Sequence, residues 1–309
     1  MHRMYELTKS ELVVFRSVCD GLGSMADLRA ASGLSALSVY RTAQSLSSKK
    51  LVTVQREGRR LVLSAGPHGH SKALASYLEG GRRPIEPLIG SRLLVLLSIS
   101  SNPKDLGRVA KETKLAAETV RRLAWALKGF GAVSQERRTI SIPRSDVVLA
   151  RFLRDFSKGA CAAVLEDKAA TGTVLWSEGL EFVFTARRLD DAAGVQETGI
   201  TAMSRRGLQF ISDAKYYHFG YWRARLRPED IALHNLLVNP NSTRSIAYSL
   251  LFLTKERYNP KYLLRQGESV GAGEIAGQVV RYLNGEAVDS THFPGRDELK
   301  EMGSQYGVG

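Results

Sequence analysis

Arg41 and Gln44 stand three residues apart in the segment 35–48, and Arg56, Arg59 and Arg60 crowd the short stretch that follows it. On a helix, residues three apart share a face. An arginine fork matches O6 and N7 of guanine, and a glutamine amide matches N6 and N7 of adenine. Ser38, Tyr40 and Ser45 surround this pair with hydroxyls, and the arginines beyond suit a phosphate or the minor groove. The chemistry on offer is the reading of a duplex nucleic acid, not the making of bonds.

Catalytic chemistry finds fewer candidates. In the C-terminal half they are Lys215, Glu229, Asp230 and His234. Arg227-Pro228-Glu229-Asp230 reads as a helix start, with proline in the first turn and two acids near the positive end of the dipole. His234 follows Asp230 by one turn beside Ile231 and Leu237, and reads as a half-buried structural histidine. His68 and His70 bracket a glycine with no further ligands close by, and Cys19 and Cys161 cannot make a zinc site by themselves. Gly271-Ala272-Gly273 with Gly277 lacks the Lys-Ser/Thr of a phosphate loop. Tyr216, Tyr217, His218, Phe219, Tyr221 and Trp222 read as core and sheet-surface aromatics rather than a base-stacking platform. No catalytic residue, cofactor or metal site is expected.

The elements that must position the arginines follow from local signals. Thr8-Lys9-Ser10-Glu11 is a capping-box sequence, after which Leu12, Phe15 and Cys19 share a helical face. Ser24 and Asp27 start a second helix, and Ser32-Gly33 makes a turn. A third helix over 35–48 buries Val39, Ala43 and Leu46, and the β-rich runs 51–55 and 61–63 flank a hairpin tip. Leu34, Val39, Arg41, Ala43, Leu46 and Val52 recur 81 residues later as Leu115, Val120, Arg122, Ala124, Leu127 and Val133. In this second copy a helix is expected over 89–98, and Asn102 is expected to cap a helix that starts at Pro103. A third helix over 116–130 presents Glu118, Arg121, Arg122 and Trp125, and a hairpin over 133–142 carries Glu136, Arg137 and Arg138. Three helices and a basic hairpin are the order of a winged helix-turn-helix, here in tandem. Arg121, Arg122, Arg137 and Arg138 are the DNA-contact candidates of the second copy, although Trp125 and Glu118 suit a packing or dimer surface equally.

Charge agrees with a basic reader. Residues 1–143 hold 23 Lys and Arg against 11 Asp and Glu, whereas residues 144–309 hold 21 against 20. Such asymmetry points the first half at a polyanion. The hydrophobic fraction of 43% is ample for cores. No cationic-then-apolar leader opens the sequence, and Leu93–Leu97 is far too short to span a bilayer. A cytoplasmic location away from the membrane is expected.

Beyond 144 the periodicity is mixed. A long helix capped by Ser145 is followed by strands over 173–176, 181–185, 209–211 and 215–219, and by helices over 198–206, 228–238, 243–254, 260–265, 272–283 and 296–302. Two stretches, Glu197-Thr198-Gly199-Ile200-Thr201-Ala202-Met203-Ser204-Arg205-Arg206-Gly207-Leu208 and Leu226-Arg227-Pro228-Glu229-Asp230-Ile231-Ala232-Leu233-His234-Asn235-Leu236-Leu237, resemble the C-terminal region of AbiEi-type regulators. These are the antitoxins of type IV toxin–antitoxin pairs. The resemblance covers about residues 170–270. It implies a winged helix acting on the operon's own promoter and a C-terminal domain that counters a nucleotidyltransferase-like toxin. That family usually carries a single winged helix, where this chain reads as two.

The expected fold class is therefore α+β: a winged helix-turn-helix over 1–66, a linker with a short helix over 67–84, a second winged helix-turn-helix over 85–143, and an α+β regulatory or partner-binding domain over 144–309. The expected function is sequence-specific binding of double-stranded DNA by a homodimeric transcriptional regulator, autoregulatory and the antitoxin of a toxin pair. Two other classes stand beside it. One is a nucleotidyltransferase-like enzyme in the C-terminal half, which needs clustered metal-binding carboxylates. The other is a winged-helix scaffold that binds protein.

Overall fold

The computed structural model describes residues 4–58, 60–81, 83–208, 210, 214–220 and 225–308, and the fold is mixed α+β. The chain packs as two compact units, residues 1–164 with 178–180, and residues 165–177 with 181–309. Residues 144–164, grouped by sequence with the C-terminal half, pack within the first unit. Among the described residues no helix is long and apolar enough to cross a membrane.

The first unit opens with helices α1 (Lys9–Cys19), α2 (Met25–Ser32) and α3 (Ala36–Ser48), then strands β1 (Val52–Glu57) and β2 (Arg60–Ala65). The capping box at Thr8 forms as read: Thr8 Oγ1 accepts from the Glu11 amide at 3.1 Å and Glu11 Oε2 accepts from the Thr8 amide at 2.6 Å. Ser24 and Ser35 cap α2 and α3 in the same way, accepting from the amides of Asp27 and Ser38. β1 and β2 pair antiparallel from Val52↔Ala65 to Glu57↔Arg60, and Ser24, just ahead of α2, bridges to Val62. Leu12, Phe15, Leu28, Val39, Leu46 and Leu63 are fully or almost fully buried and form the core between helices and hairpin. Each buried side chain of this size contributes about 1.5–3 kcal/mol.

After α4 (Gly69–Leu78) the same plan returns as α5 (Ser91–Ser98), β3 (Lys104–Asp105), α6 (Leu106–Thr113), α7 (Ala117–Gly129), β4 (Ser134–Glu136) and β5 (Thr139–Ser141). The strands form one antiparallel sheet in the order β3-β5-β4. Here the helix start expected at Asn102-Pro103 is corrected. Lys104 and Asp105 pair with Ile140 and Thr139 as a short strand, and Asp105 caps α6 by accepting from the Arg108 amide at 2.9 Å. Asn102 instead donates its amide to Glu178 Oε1. The helix expected from Ile89 begins at Ser91, after a 3-10 turn over Glu86–Leu88 and a positive φ at Gly90.

The long helix α8 (Val147–Lys168) starts from Asp146 rather than Ser145, because Asp146 Oδ1 accepts from the Leu149 amide. Both oxygens of the same carboxylate accept from Arg83 Nη1, at 2.8 and 2.9 Å. Phe152 and Phe156 on α8 pack beside Tyr77 and His70 of α4. Gly159 allows that approach, since a Cβ there would press on the His70 ring.

The second unit is built on a four-stranded sheet of β6 (Gly172–Glu178), β7 (Glu181–Ala186), β8 (Val195–Glu197) and β9 (Lys215–Gly220), in the order β6-β7-β9-β8. β7 and β8 both run antiparallel to β9. The strand expected over Gln209–Ile211 lies outside the described residues, and β8 is a strand the sequence does not announce. α9 (Gly199–Arg205) joins β8 to the segment before β9, and α10 (Pro228–Val238), α11 (Thr243–Glu256), α12 (Pro260–Ser269), α13 (Gly273–Leu283) and α14 (Arg296–Gln305) complete the unit. α10 is apolar around most of its circumference, as a helix buried on several sides must be. Ile231, Leu233 and Leu236 join Ile246, Leu250, Phe252, Leu263 and Val279 in one core.

Candidate nucleic-acid interface

Helix α3 has one buried stripe and one open face. Val39, Ala43 and Leu46 point into the core, while Leu37, Tyr40, Arg41, Gln44 and Ser48 are exposed at i, i+3, i+4, i+7 and i+11. Leu37 is 57% exposed and Tyr40 43%. Gln44 Nε2 donates to Tyr40 Oη at 2.9 Å, which holds both tips on the outer surface. Ser38 is half-buried at the start of this face and shares a hydroxyl contact with Ser35 at 2.9 Å.

Ser45 is half-buried at the edge of this surface. Its hydroxyl donates to Glu11 Oε1 at 2.7 Å, and Lys49 donates to the same oxygen. Helical spacing puts Ser45 at the border of the stripe, and the buried Glu11–Lys49 pair draws it inward. The hairpin tip carries Arg56 and Arg60, both exposed, with Gly58 at φ 61° making the turn and accepting from Arg56 Nε at 3.2 Å. Arg59 lies outside the described residues.

The second copy presents the same positions with other residues. Glu118, Arg121, Arg122 and Trp125 occupy on α7 the places of Leu37, Tyr40, Arg41 and Gln44 on α3, and all four are exposed. Arg121 is paired with Glu118 at 2.6 Å, so part of its charge is answered within the helix. Trp125 is 77% exposed. Arg137 and Arg138 form the two-residue tip between Glu136 and Thr139, which are register partners, and both are exposed. Beneath this copy lies a buried ionic cluster. Lys104 Nζ meets Glu112 at 2.9 Å and Glu178 at 3.5 Å, and Arg108 Nε meets Glu112 at 2.6 Å.

In the second unit the C-terminal candidates separate. Lys215 is exposed at the start of β9. Asp230 accepts from the Arg227 amide at 3.0 Å, and Glu229 from the Asn259 amide, so both carboxylates serve helix ends. His234 is buried rather than half-buried, and its Nδ1 lies 2.8 Å from Thr198 Oγ1. Its ring stacks on His218 at 4.5 Å and 16°, and His218 Nε2 lies 3.1 Å from Glu181 Oε2. Sequence reasoning passed over Glu181 and placed His218 only among the core and sheet-surface aromatics. The signal was one ionisable residue inside each apolar run, Glu181-Phe182-Val183-Phe184 and Tyr216-Tyr217-His218-Phe219. Tyr217 and Phe219 are core aromatics stacked on Phe184 and Phe182, and Tyr221 and Trp222 lie outside the described residues. A cleft of about 530 Å³ beside β8 and α9 is lined by Arg205, Arg206, Lys215 and Arg225, with Glu197 answering Arg205 at 2.6 Å.

A protein-family profile described as HVO_2833_C, C-terminal, matches residues 192–308. The match begins just ahead of β8 and runs to the end of the described chain, so it includes residues 197–208 and 226–237. No curated protein and no solved structure matches the chain.

Proposed function

We propose that the protein is a sequence-specific double-stranded DNA-binding regulator built on two tandem winged helix-turn-helix modules. One observation carries this reading. An exposed face of Tyr40, Arg41 and Gln44 stands on a helix buried along its other side, directly ahead of a hairpin tipped with arginine, and the arrangement recurs 81 residues later. The sheet order β3-β5-β4, in which a strand ahead of the second helix pairs with the far strand of the hairpin, supports the winged-helix assignment.

In this mechanism α3 enters the major groove, Arg41 and Gln44 address base edges, and Arg56 and Arg60 hold the backbone. The net charge of the first 143 residues supplies the long-range attraction. Two-fold operators suit a homodimer. The antitoxin resemblance adds the rest of the proposal: the regulator acts on its own promoter in the cytoplasm, and its C-terminal unit binds a nucleotidyltransferase-like toxin.

A second reading applies to the second copy. Trp125 replaces Gln44 and Glu118 replaces Leu37, a tryptophan-centred surface that suits a protein partner better than phosphate.

Fluorescence anisotropy of the full chain on its own upstream DNA and on scrambled duplex, across a salt series, tests the proposal. Selective binding with a log–log slope near about −5, for roughly six phosphates neutralised, is the expected result. Equal weak binding to both duplexes, unaffected by Arg41→Ala with Arg60→Ala, would refute it.

A further inference from the structure

We propose that Glu181, His218 and His234 form a binding site for a divalent transition-metal ion of the zinc class, a role independent of DNA binding. Three elements bring the residues together: β7 supplies Glu181, β9 supplies His218 and α10 supplies His234. In the β7–β9 register Glu181 opposes Gly220 and Val183 opposes His218, so Glu181 and His218 lie diagonally on one face of the sheet. All three side chains are buried, and one donor atom from each lies within 4.8 Å of the others.

The donor set is right for this class of ion. Two imidazoles and a carboxylate suit zinc and its neighbours, and three protein ligands leave one position for water. Donors at about 2.0–2.1 Å from a tetrahedral ion stand about 3.3 Å apart. His218 Nε2 and Glu181 Oε2 are already at 3.1 Å. The third donor lies within 4.8 Å of the other two, so it reaches that spacing by an inward shift of at most about 1.5 Å.

Two further observations favour a cation between these groups. The imidazole rings are stacked at 4.5 Å and 16°, which holds the two histidines side by side. The fully buried Thr198 holds Nδ1 of His234 at 2.8 Å. With the Thr198 hydroxyl accepting from Nδ1–H, as outer partners of metal-bound histidines do, Nε2 is the nitrogen left for the ion. Thr198 is thus a positioning residue for His234.

The experiment uses the full chain, untagged and stripped by chelator, titrated with Co²⁺ and followed by its visible absorption, with metal content measured after loading with Zn²⁺. About one ion per chain is expected, together with a rise in Tm on adding Zn²⁺. Glu181→Gln and His218→Gln should lose the cobalt band. Thr198→Val, close in size to the native side chain, should keep the fold by circular dichroism and bind roughly 10–100-fold more weakly. His68→Ala, which removes the exposed member of the histidine pair in the first unit, should leave the signal unchanged. A wild-type chain that takes up no Co²⁺ and gains no Tm from Zn²⁺ overturns the proposal. So does a cobalt signal that survives Glu181→Gln and Thr198→Val but is lost in His68→Ala.

Discussion

Gly33 and Lys114, 81 residues apart, hold the same left-handed backbone conformation at the end of the second helix of each copy, with φ 67° and 56°. A second pair behaves alike after the third helix, where Lys50 and Gly131 have φ 56° and 70°. Each pair uses glycine in one copy and lysine in the other. The turn geometry is therefore a requirement of the fold, met by whichever residue stands there. An L-residue in this region costs about 1 kcal/mol. Gly33 and Gly131 have open space around an added Cβ, so Gly33→Ala and Gly131→Ala should each cost about that amount through backbone strain alone. Thermal unfolding checks this, and an unchanged Tm in both variants would count against it.

On the proposed DNA-binding function, the exposed faces of α3 and α7 should respond differently to substitution. Arg60→Ala should weaken binding evenly across duplex sequences and lower the salt slope by about 1. Arg41→Ala should cost about 1–3 kcal/mol and relax selectivity at one base pair. Trp125→Ala should leave duplex affinity unchanged and alter partner or subunit association instead. Anisotropy and sedimentation of the same variants separate these outcomes.

Glu11 and Lys49 form a buried ion pair, and each has further work in the same place. Glu11 caps α1 and accepts from Ser45, while Lys49 donates to the Glu6 carbonyl at 2.6 Å. Breaking such a pair from one side leaves an unanswered buried charge, at about 3–5 kcal/mol. Lys49→Met should fall in that range by urea denaturation. Glu11→Met combined with Lys49→Met should recover part of the loss.

His70 gives the first unit a pH dependence. Burial lowers its pKa, a fall opposed by the Lys49 carbonyl, to which Nε2 donates at 2.9 Å, and aided by neighbouring His68 and Lys50. Asp155 acts in the opposite sense. A depressed histidine contributes stability above its unfolded pKa of about 6.5, and loses it as pH falls through the folded value. Wild-type protein should therefore lose more stability than His70→Gln between pH 7.5 and 5 in urea titrations. Parallel curves for the two proteins would rule the contribution out. Gly159→Ala, which crowds the same ring, should be destabilising at every pH.

Local chemistry was legible in the sequence wherever a few neighbouring residues decide it. Thr8 with Glu11 sets the start of α1, Ser24 and Ser35 start α2 and α3, and the spacing of Val39, Ala43 and Leu46 leaves Tyr40, Arg41 and Gln44 outside. The repeat of 81 residues and the one-sided charge are likewise properties of the chain as written. Other features depend on partners far along the chain. Lys104 and Asp105 become a strand only because Ile140 and Thr139 lie alongside, and that pairing moves the helix start past Pro103. Ser45 turns inward because Glu11, 34 residues earlier, offers an oxygen there. Glu181, His218 and His234 meet only when two strands and a helix are packed together. Helical periodicity and capping act over three or four residues and so can be read directly, whereas strand pairing and buried polar contacts join distant residues and are decided by the tertiary structure.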